Sequence, residues 1–193
     1  MRHYIAKRAP VQISNPAETF GALLDTFDVG GSQAAGFHDL WVAHARDVYR
    51  FAFYLSGNQA VADDLTSEAF LRVWDAWDRL VFPTVRSYLF ATVRNLYLHQ
   101  LRRTRREEAI EATMPDRSSL AEHAEQKDQL QRVLAAMDQL PEVDRSALLL
   151  RVEEGLSYEE IAAILQLPVA TAKVKVHRAR LRLAQICQRS SAL

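Results

Sequence analysis

The sequence predicts an all-α protein: two small helical domains joined by an acidic linker, the second ending in a helix-turn-helix. Three observations predict it. Apolar residues recur at helical spacing almost throughout, with no convincing strand alternation. Glycine and proline are scarce, six of each in 193 residues. A capping box, a proline and a long basic segment without acids then follow one another from Ser157 toward the C-terminus.

The least regular part is residues 1–36, with Pro10, Pro16 and the Gly30-Gly31 pair. It is expected to be a mobile extension with one short helix near Ala17 to Phe27. A helix is expected from Phe37 to Ser56, ending at Gly57-Asn58. The next runs from Gln59 to Leu80, with Val61, Leu65, Ala69, Val73, Ala76 and Leu80 on one apolar side and Asp64, Glu68, Leu71, Asp75 and Asp78 toward the other. Phe82-Pro83-Thr84 breaks the chain, because Pro83 pushes Phe82 out of the helical region. A third helix covers Val85 to Arg103, with Val85, Leu89, Val93 and Leu96 inward. These helices make a first domain, residues 37–106.

Residues 107–118 contain Pro115 and little periodicity, and are expected to be a linker. The second domain spans residues 119–187, with a short tail at 188–193. Ser119 and Glu122 offer a capping box for a helix to Leu140. Pro141 opens the next helix, which ends near Gly155, a residue able to close it with positive φ.

The helix-turn-helix is the most specific local signal. Ser157 and Glu160 have the reciprocal capping-box spacing. The short helix buries Ile161, Ala162, Ile164 and Leu165, Pro168 breaks it, and a longer helix starts there. On that helix Val169, Ala172, Val176, Ala179 and Leu183 form one apolar stripe. Thr171, Lys175, Arg178 and Arg182 repeat the spacing on another side, flanked by Lys173, His177 and Arg180. The last 27 residues hold six Lys and Arg and no Asp or Glu. Such a one-signed face suits a polyanion, and a helix of this size can enter a DNA major groove; a solvated surface helix is the plainer alternative. Val174 and Leu181 point away from the apolar stripe, where Val174 could touch a thymine methyl.

The chain as a whole is neutral, 24 Lys+Arg against 24 Asp+Glu, but the charge is segregated. Pro83 to Arg106 holds six arginines and no acid, and Glu107 to Leu130 seven acids against Arg117 and Lys127. Two basic blocks in a neutral protein point to two separate nucleic-acid contacts. The third helix carries Arg86, Tyr88, Phe90, Arg94, Tyr97, Arg102 and Arg103. Its aromatics are either core residues or platforms for unpaired bases, with the arginines on phosphates. The acidic side of the second helix, with Leu71 and Trp74 beside it, is either simply solvated or a dock for a protein surface.

Together these passages resemble a bacterial sigma factor of the extracytoplasmic-function (ECF) group, from about Phe37 to Gln185. ADDLTSEAFLRVW, Ala62 to Trp74, resembles region 2.2. VRSYLFATVRNLYLHQLRR, Val85 to Arg103, resembles regions 2.3 and 2.4. Leu140 to Leu183 resembles region 4. The resemblance implies a transcription initiation factor that binds core RNA polymerase, recognises promoter −35 and −10 elements and helps open the −10 DNA. It places Asp63, Asp64, Glu68, Leu71, Trp74 and Asp75 against the polymerase β′ clamp helices, and names the β flap as a further polymerase contact. It assigns Phe82, Pro83, Thr84, Arg86, Ser87, Tyr88, Arg94, Asn95, His99, Arg102 and Arg103 to the −10 element. It assigns Thr171, Lys173, Val174, Lys175, His177, Arg178 and Arg182 to the −35 major groove. The acidic linker would thread the channel used by nascent RNA. Such factors are often held by an anti-sigma protein.

The chain departs from the family pattern at the turn, where Gln166 replaces the usual Gly, and at Ala170, Ala172, Val174 and Lys175 on the reading helix. His99 stands where an acid is common and Tyr88 where Trp is common. The rival is a helix-turn-helix repressor binding duplex DNA as a dimer, which leaves the region 2-like passages unexplained. An enzyme is not expected: the six histidines show no metal-ligand spacing, and no Gly-rich phosphate loop or nucleophile motif is present. Neither metal nor cofactor is expected. With one cysteine, no apolar run of spanning length and no signal-peptide h-region, the chain is expected to be cytoplasmic, with no membrane insertion of its own.

Overall fold

The computed structural model describes residues 31–79, 85–110 and 126–190. Among them the chain is helical: α1 (Gly31–Ser56), α2 (Gln59–Asp75), a 3-10 turn (Trp77–Arg79), α3 (Val85–Ile110), α4 (Gln126–Asp138), α5 (Glu142–Val152), α6 (Tyr158–Leu165) and α7 (Val169–Ser190). The expected short helix near Ala17 to Phe27, the Phe82-Pro83-Thr84 break and the Ser119–Glu122 box lie outside the described residues.

Helices α1, α2 and α3 pack against one another as a first bundle. Its interior is aromatic. Phe51 meets Phe90 edge-on at 5.3 Å, Trp41 lies 4.5 Å from Phe70, and Phe37 stands edge-on to Trp74 at 5.0 Å. Each such ring removed from water contributes on the order of 1.5–3 kcal/mol. Asn58 caps α2, its side chain accepting from Val61 N–H at 3.1 Å. The second bundle packs α7 across α5 and α6, with α4 beside it.

Four boundaries differ from the sequence expectation. Helix α1 starts at Gly31 and runs through Gly36, so residues 31–36 belong to a helix and not to an extension. A Cβ at Gly36 would lie 3.0 Å from the Trp77 ring, so the glycine admits that ring against the helix. Helix α2 stops at Asp75, where the chain tightens into the 3-10 turn and Trp77 folds back toward Phe37 at 6.0 Å. Helix α3 continues past Arg103 to Ile110, taking Glu107 and Glu108 out of the linker, because no Gly or Pro intervenes before Pro115. Helix α7 runs to Ser190, into the expected tail, for the same reason.

The loop from α5 into α6 follows the sequence closely. Gly155 has φ +67°, and Leu156 N–H reaches back six residues to Leu150 C=O at 3.0 Å, closing the C-terminal end of α5. The two bundles also meet: α5 lies against α1, and α6 against α3. Buried residues of both form one continuous apolar cluster.

Candidate nucleic-acid interface

The helix-turn-helix is set by its two ends. Ser157 Oγ accepts from Glu160 N–H at 3.2 Å, and Glu160 Oε2 accepts from Ser157 N–H at 2.8 Å. These bonds hold the Glu160 carboxyl below the usual glutamate value. Gln166 closes α6 in the left-handed region, φ 55° and ψ 48°. That conformation costs a non-glycine residue about 1 kcal/mol. Ala172, Val176 and Ala179 of α7 are buried, with Val169 and Leu183 half-buried at the ends of the stripe.

The remaining faces of α7 are open. Lys173, Val174, His177, Arg178 and Arg182 are exposed, and Thr171 is half-buried. Val174 is 46% exposed, as expected of a side chain pointing off the apolar stripe. Lys173 Nζ sits 5.6 Å from the Tyr158 ring centroid, which also lies 4.8 Å from the Arg151 guanidinium. Lys175 differs from its neighbours: its Nζ lies 2.9 Å from Asp144 Oδ1, and the Asp144 side chain is nearly buried. Its charge is therefore committed within the second bundle.

Helix α3 divides the expected −10 residues into two groups. Tyr88, Asn95, His99 and Arg102 are exposed and fall at spacings of 7, 4 and 3, on one helical face, with Arg103 exposed beside them. Ser87 is half-buried. Phe90 and Tyr97 are buried core aromatics, so of the three aromatics only Tyr88 is available to a base. Phe82, Pro83 and Thr84 lie outside the described residues.

The second group, Arg86 and Arg94, is turned toward the other bundle. Arg94 donates Nε and Nη2 to the two carboxylate oxygens of Glu142, at 2.8 and 3.0 Å, a bidentate fork. Arg86 Nη2 donates to Glu154 Oε2 at 3.2 Å and to Glu154 C=O at 3.0 Å. Arg50, on α1, donates Nη2 to Glu154 Oε1 at 2.8 Å and lies 3.5 Å from Glu153. The Glu154 side chain is wholly buried. Burial raises its carboxyl above the usual value, against the pull of Arg50 and, less strongly, Arg86. Close by, burial and, after it, the Arg86 charge lower His44, against the pull of Asp47, and so disfavour its charged form. Arg145 reaches the other way, donating Nη2 to Tyr97 Oη at 3.0 Å and Nη1 to Asp138.

The acidic side of α2 is open. Asp64 and Asp75 are exposed, Glu68 and Leu71 half-buried, and Glu68 pairs with Arg72 at 2.9 Å. Asp63 is half-buried, and burial followed by the Asp64 charge raises its carboxyl. Trp74 is half-buried and edge-on to Phe37, so much of its ring serves the core.

Arg50, Glu142, Glu154 and Arg145 stand in no motif or stripe of the sequence that marks them as site residues. Arg50 stands inside an otherwise apolar run, VYRFAFY, and that isolation was the available signal; its partner lies 104 residues away. Among the described residues no group of His, Cys, Asp and Glu could hold a metal ion, and no helix is long and apolar enough to cross a membrane.

Comparison with known proteins follows the same division. The family model described as Sigma-70 region 2 matches residues 40–107, and that described as Sigma-70, region 4 matches residues 130–183. The ECF RNA polymerase sigma factor SigE of Mycolicibacterium smegmatis is 37% identical over 166 residues, covering 81% of this chain and 64% of that protein. The chain thus spans just under two thirds of that relative's length. The ECF RNA polymerase sigma factor EcfG of Rhodopseudomonas palustris is 35% identical over 142 residues, 70% of this chain and 76% of its own. The sigma factor RpoE of Bartonella quintana, solved in complex with the anti-sigma factor NepR, superimposes with a TM-score of 0.70 at 28% identity, covering 79% of this chain and 97% of that one. CnrH, solved with the cytosolic domain of CnrY, shares the fold at a TM-score of 0.62 and 22% identity, over 90% and 98% of the two chains.

Proposed function

The chain belongs to the ECF sigma factor family, and from that premise we propose that it is a transcription initiation factor. It binds core RNA polymerase, recognises promoter −35 and −10 elements and helps open the −10 DNA. The observation that carries this is the presence of both sigma regions, in order, on one chain, each with a basic helix face exposed.

Roles follow exposure. Lys173, Val174, His177, Arg178 and Arg182 face the −35 major groove, with Thr171 at the edge; Lys175 contributes mainly by holding α7 to α5. Tyr88, Asn95, His99, Arg102 and Arg103 follow the −10 strand, joined by Ser87 and by the Phe82, Pro83 and Thr84 loop. Aromatic stacking by Tyr88 is worth about 1–3 kcal/mol per base. Asp63, Asp64, Glu68, Leu71 and Asp75 meet the β′ clamp helices, with Trp74 supporting the surface from beneath, and the second bundle meets the β flap. The factor acts with polymerase in the cytoplasm and is not itself a catalyst. The complex of the Bartonella quintana factor supports assigning this chain an anti-sigma partner as well.

The test is promoter-dependent run-off transcription with sigma-free core polymerase. The expected result is initiation only when the protein is added. Tight binding to a promoter duplex by the protein alone, with no gain in initiation, would make it a repressor-type regulator. Reversing the open acids of α2, Asp64→Lys with Glu68→Lys, should abolish association with core while leaving the helical circular dichroism signal. Normal core binding by that variant would remove the assignment of this face.

A further inference from the structure

Lys173 and Lys175 stand two residues apart on α7, and their charges meet different surroundings. Lys173 is exposed, its ammonium 5.6 Å from the Tyr158 ring centroid, a contact that leaves the positive charge unneutralised. Lys175 Nζ lies 2.9 Å from Asp144 Oδ1, and the two side chains are 28% and 9% exposed. Asp144 stands in the first turn of α5, and that oxygen is buried with no other partner among the described residues. Arg145 beside it points elsewhere, to Tyr97 and Asp138. The Asp144 carboxylate therefore depends on this one lysine.

Lys175 belongs to the spacing Thr171, Lys175, Arg178 and Arg182, which puts it on one side of the helix with the two arginines. Arg178 and Arg182 are exposed, and among the described residues neither pairs with a carboxylate. Lys175 also lies in the N-terminal third of α7, the part of a reading helix that reaches base edges. A free lysine there can donate to guanine O6 and N7. Withdrawing Lys175 from Asp144 leaves a buried carboxylate without a counter-charge, and that loss is at least as large as the gain from one base contact. The lysine therefore stays on Asp144 while its neighbours meet the DNA.

We propose that Asp144 is a specificity-determining residue of the −35 reader: by holding Lys175 it silences one reading position on α7 and keeps guanine from being selected there. Asp144 acts through Lys175 and touches no base itself, so it is a positioning residue. Base choice at that step is left to the exposed neighbours Val174 and Arg178. This inference rests on the −35 role proposed above, and adds to it a residue on α5, outside the helix-turn-helix, that sets what α7 reads.

The test selects a duplex DNA pool with a randomised core on the full chain and ranks the bound sequences by sequencing. Asp144→Asn removes the counter-charge and keeps the shape. It should add a preference for guanine at one position of about fivefold, the low end of what a base contact discriminates. Adding Lys175→Ala to that variant should remove the new preference, which a merely structural role for Asp144 would not do. Asp144→Ala is a second route to the free lysine and should select the same guanine; circular dichroism checks that each variant keeps its helices. An unchanged ranking in the folded Asp144 variants would overturn the proposal. So would a new preference that survives Lys175→Ala, because it would then come from a shifted helix and not from the lysine. A salt slope raised by about 0.9 with the ranking unchanged would also overturn it, since the freed lysine would sit on a phosphate. The selection needs no polymerase, so loss of the initiation-factor reading would show separately, as wild-type protein that gives no run-off product.

Discussion

Helices α3 and α7 are both basic and both amphipathic, yet they hold their charge differently. On α7 five of the seven residues expected to read DNA are exposed, and only Lys175 is tied to a carboxylate, that of Asp144 in its own bundle. On α3 the exposed stripe Tyr88, Asn95, His99 and Arg102 runs beside arginines committed to the other bundle, Arg86 to Glu154 and Arg94 to Glu142. The difference teaches that a basic helix is available to DNA only where its cations lack a closer anion. The sequence shows how many charges a helix carries; the partners decide which of them are free.

The largest expected effect separates the two kinds of aromatic on α3. Phe90→Ala removes a fully buried ring in contact with Phe51 and should cost about 3–5 kcal/mol in denaturant unfolding. Tyr88→Ala, two residues earlier but exposed, should stay within about 0.5 kcal/mol in the same assay while weakening fork-DNA binding. Equal losses of stability would erase the distinction between the two faces. Next in size is the exception on α7. Lys175→Ala leaves the nearly buried Asp144 carboxylate unpaired and should cost roughly 1–3 kcal/mol, recovered by adding Asp144→Asn. Arg178→Ala should leave stability alone and lower the salt slope of promoter-duplex binding by about 0.9. If the two variants exchanged these phenotypes, Lys175 would be the reader and Arg178 the structural residue.

Smaller effects test how α7 is aimed. Gln166→Gly relieves the left-handed strain at the turn and should stabilise the protein by up to about 1 kcal/mol, offset in part by the freer unfolded chain. A loss of stability would mean that the Gln166 side chain does more than tolerate its backbone. The smallest effect is that of Glu160, whose carboxyl is held low by the Ser157 cap. A lowered folded value means the contribution is fully present above the usual glutamate range and is lost as pH falls through the folded value. The gap in melting temperature between wild type and Glu160→Ala should therefore be present at neutral pH and close in acid. A gap unchanged in acid would show that the charge of Glu160 plays no part in the cap.

The helix-turn-helix was the most legible part of the chain because everything that sets it is local. The capping box of Ser157 and Glu160, the positive φ of Gly155 and the stripe through Ala172, Val176 and Ala179 all involve residues within a turn or two of each other. The inward face of α3, Val85, Leu89 and Val93, was legible for the same reason. Boundaries set by a distant contact were not. Helix α1 passes through Gly36 where the Trp77 ring packs against it, and α2 stops at Asp75, just before Trp77 folds back toward Phe37.

What the sequence by itself determined is the helical class, the turn, the family and the two basic helices, since periodicity, caps and motif order are written in neighbouring residues. Only the tertiary structure decided which arginines are spent. The partners of Arg50, Arg86 and Arg94 lie 104, 68 and 48 residues along the chain. No spacing rule reaches that far, because Coulomb attraction and desolvation depend on separation in space and not on order in the chain.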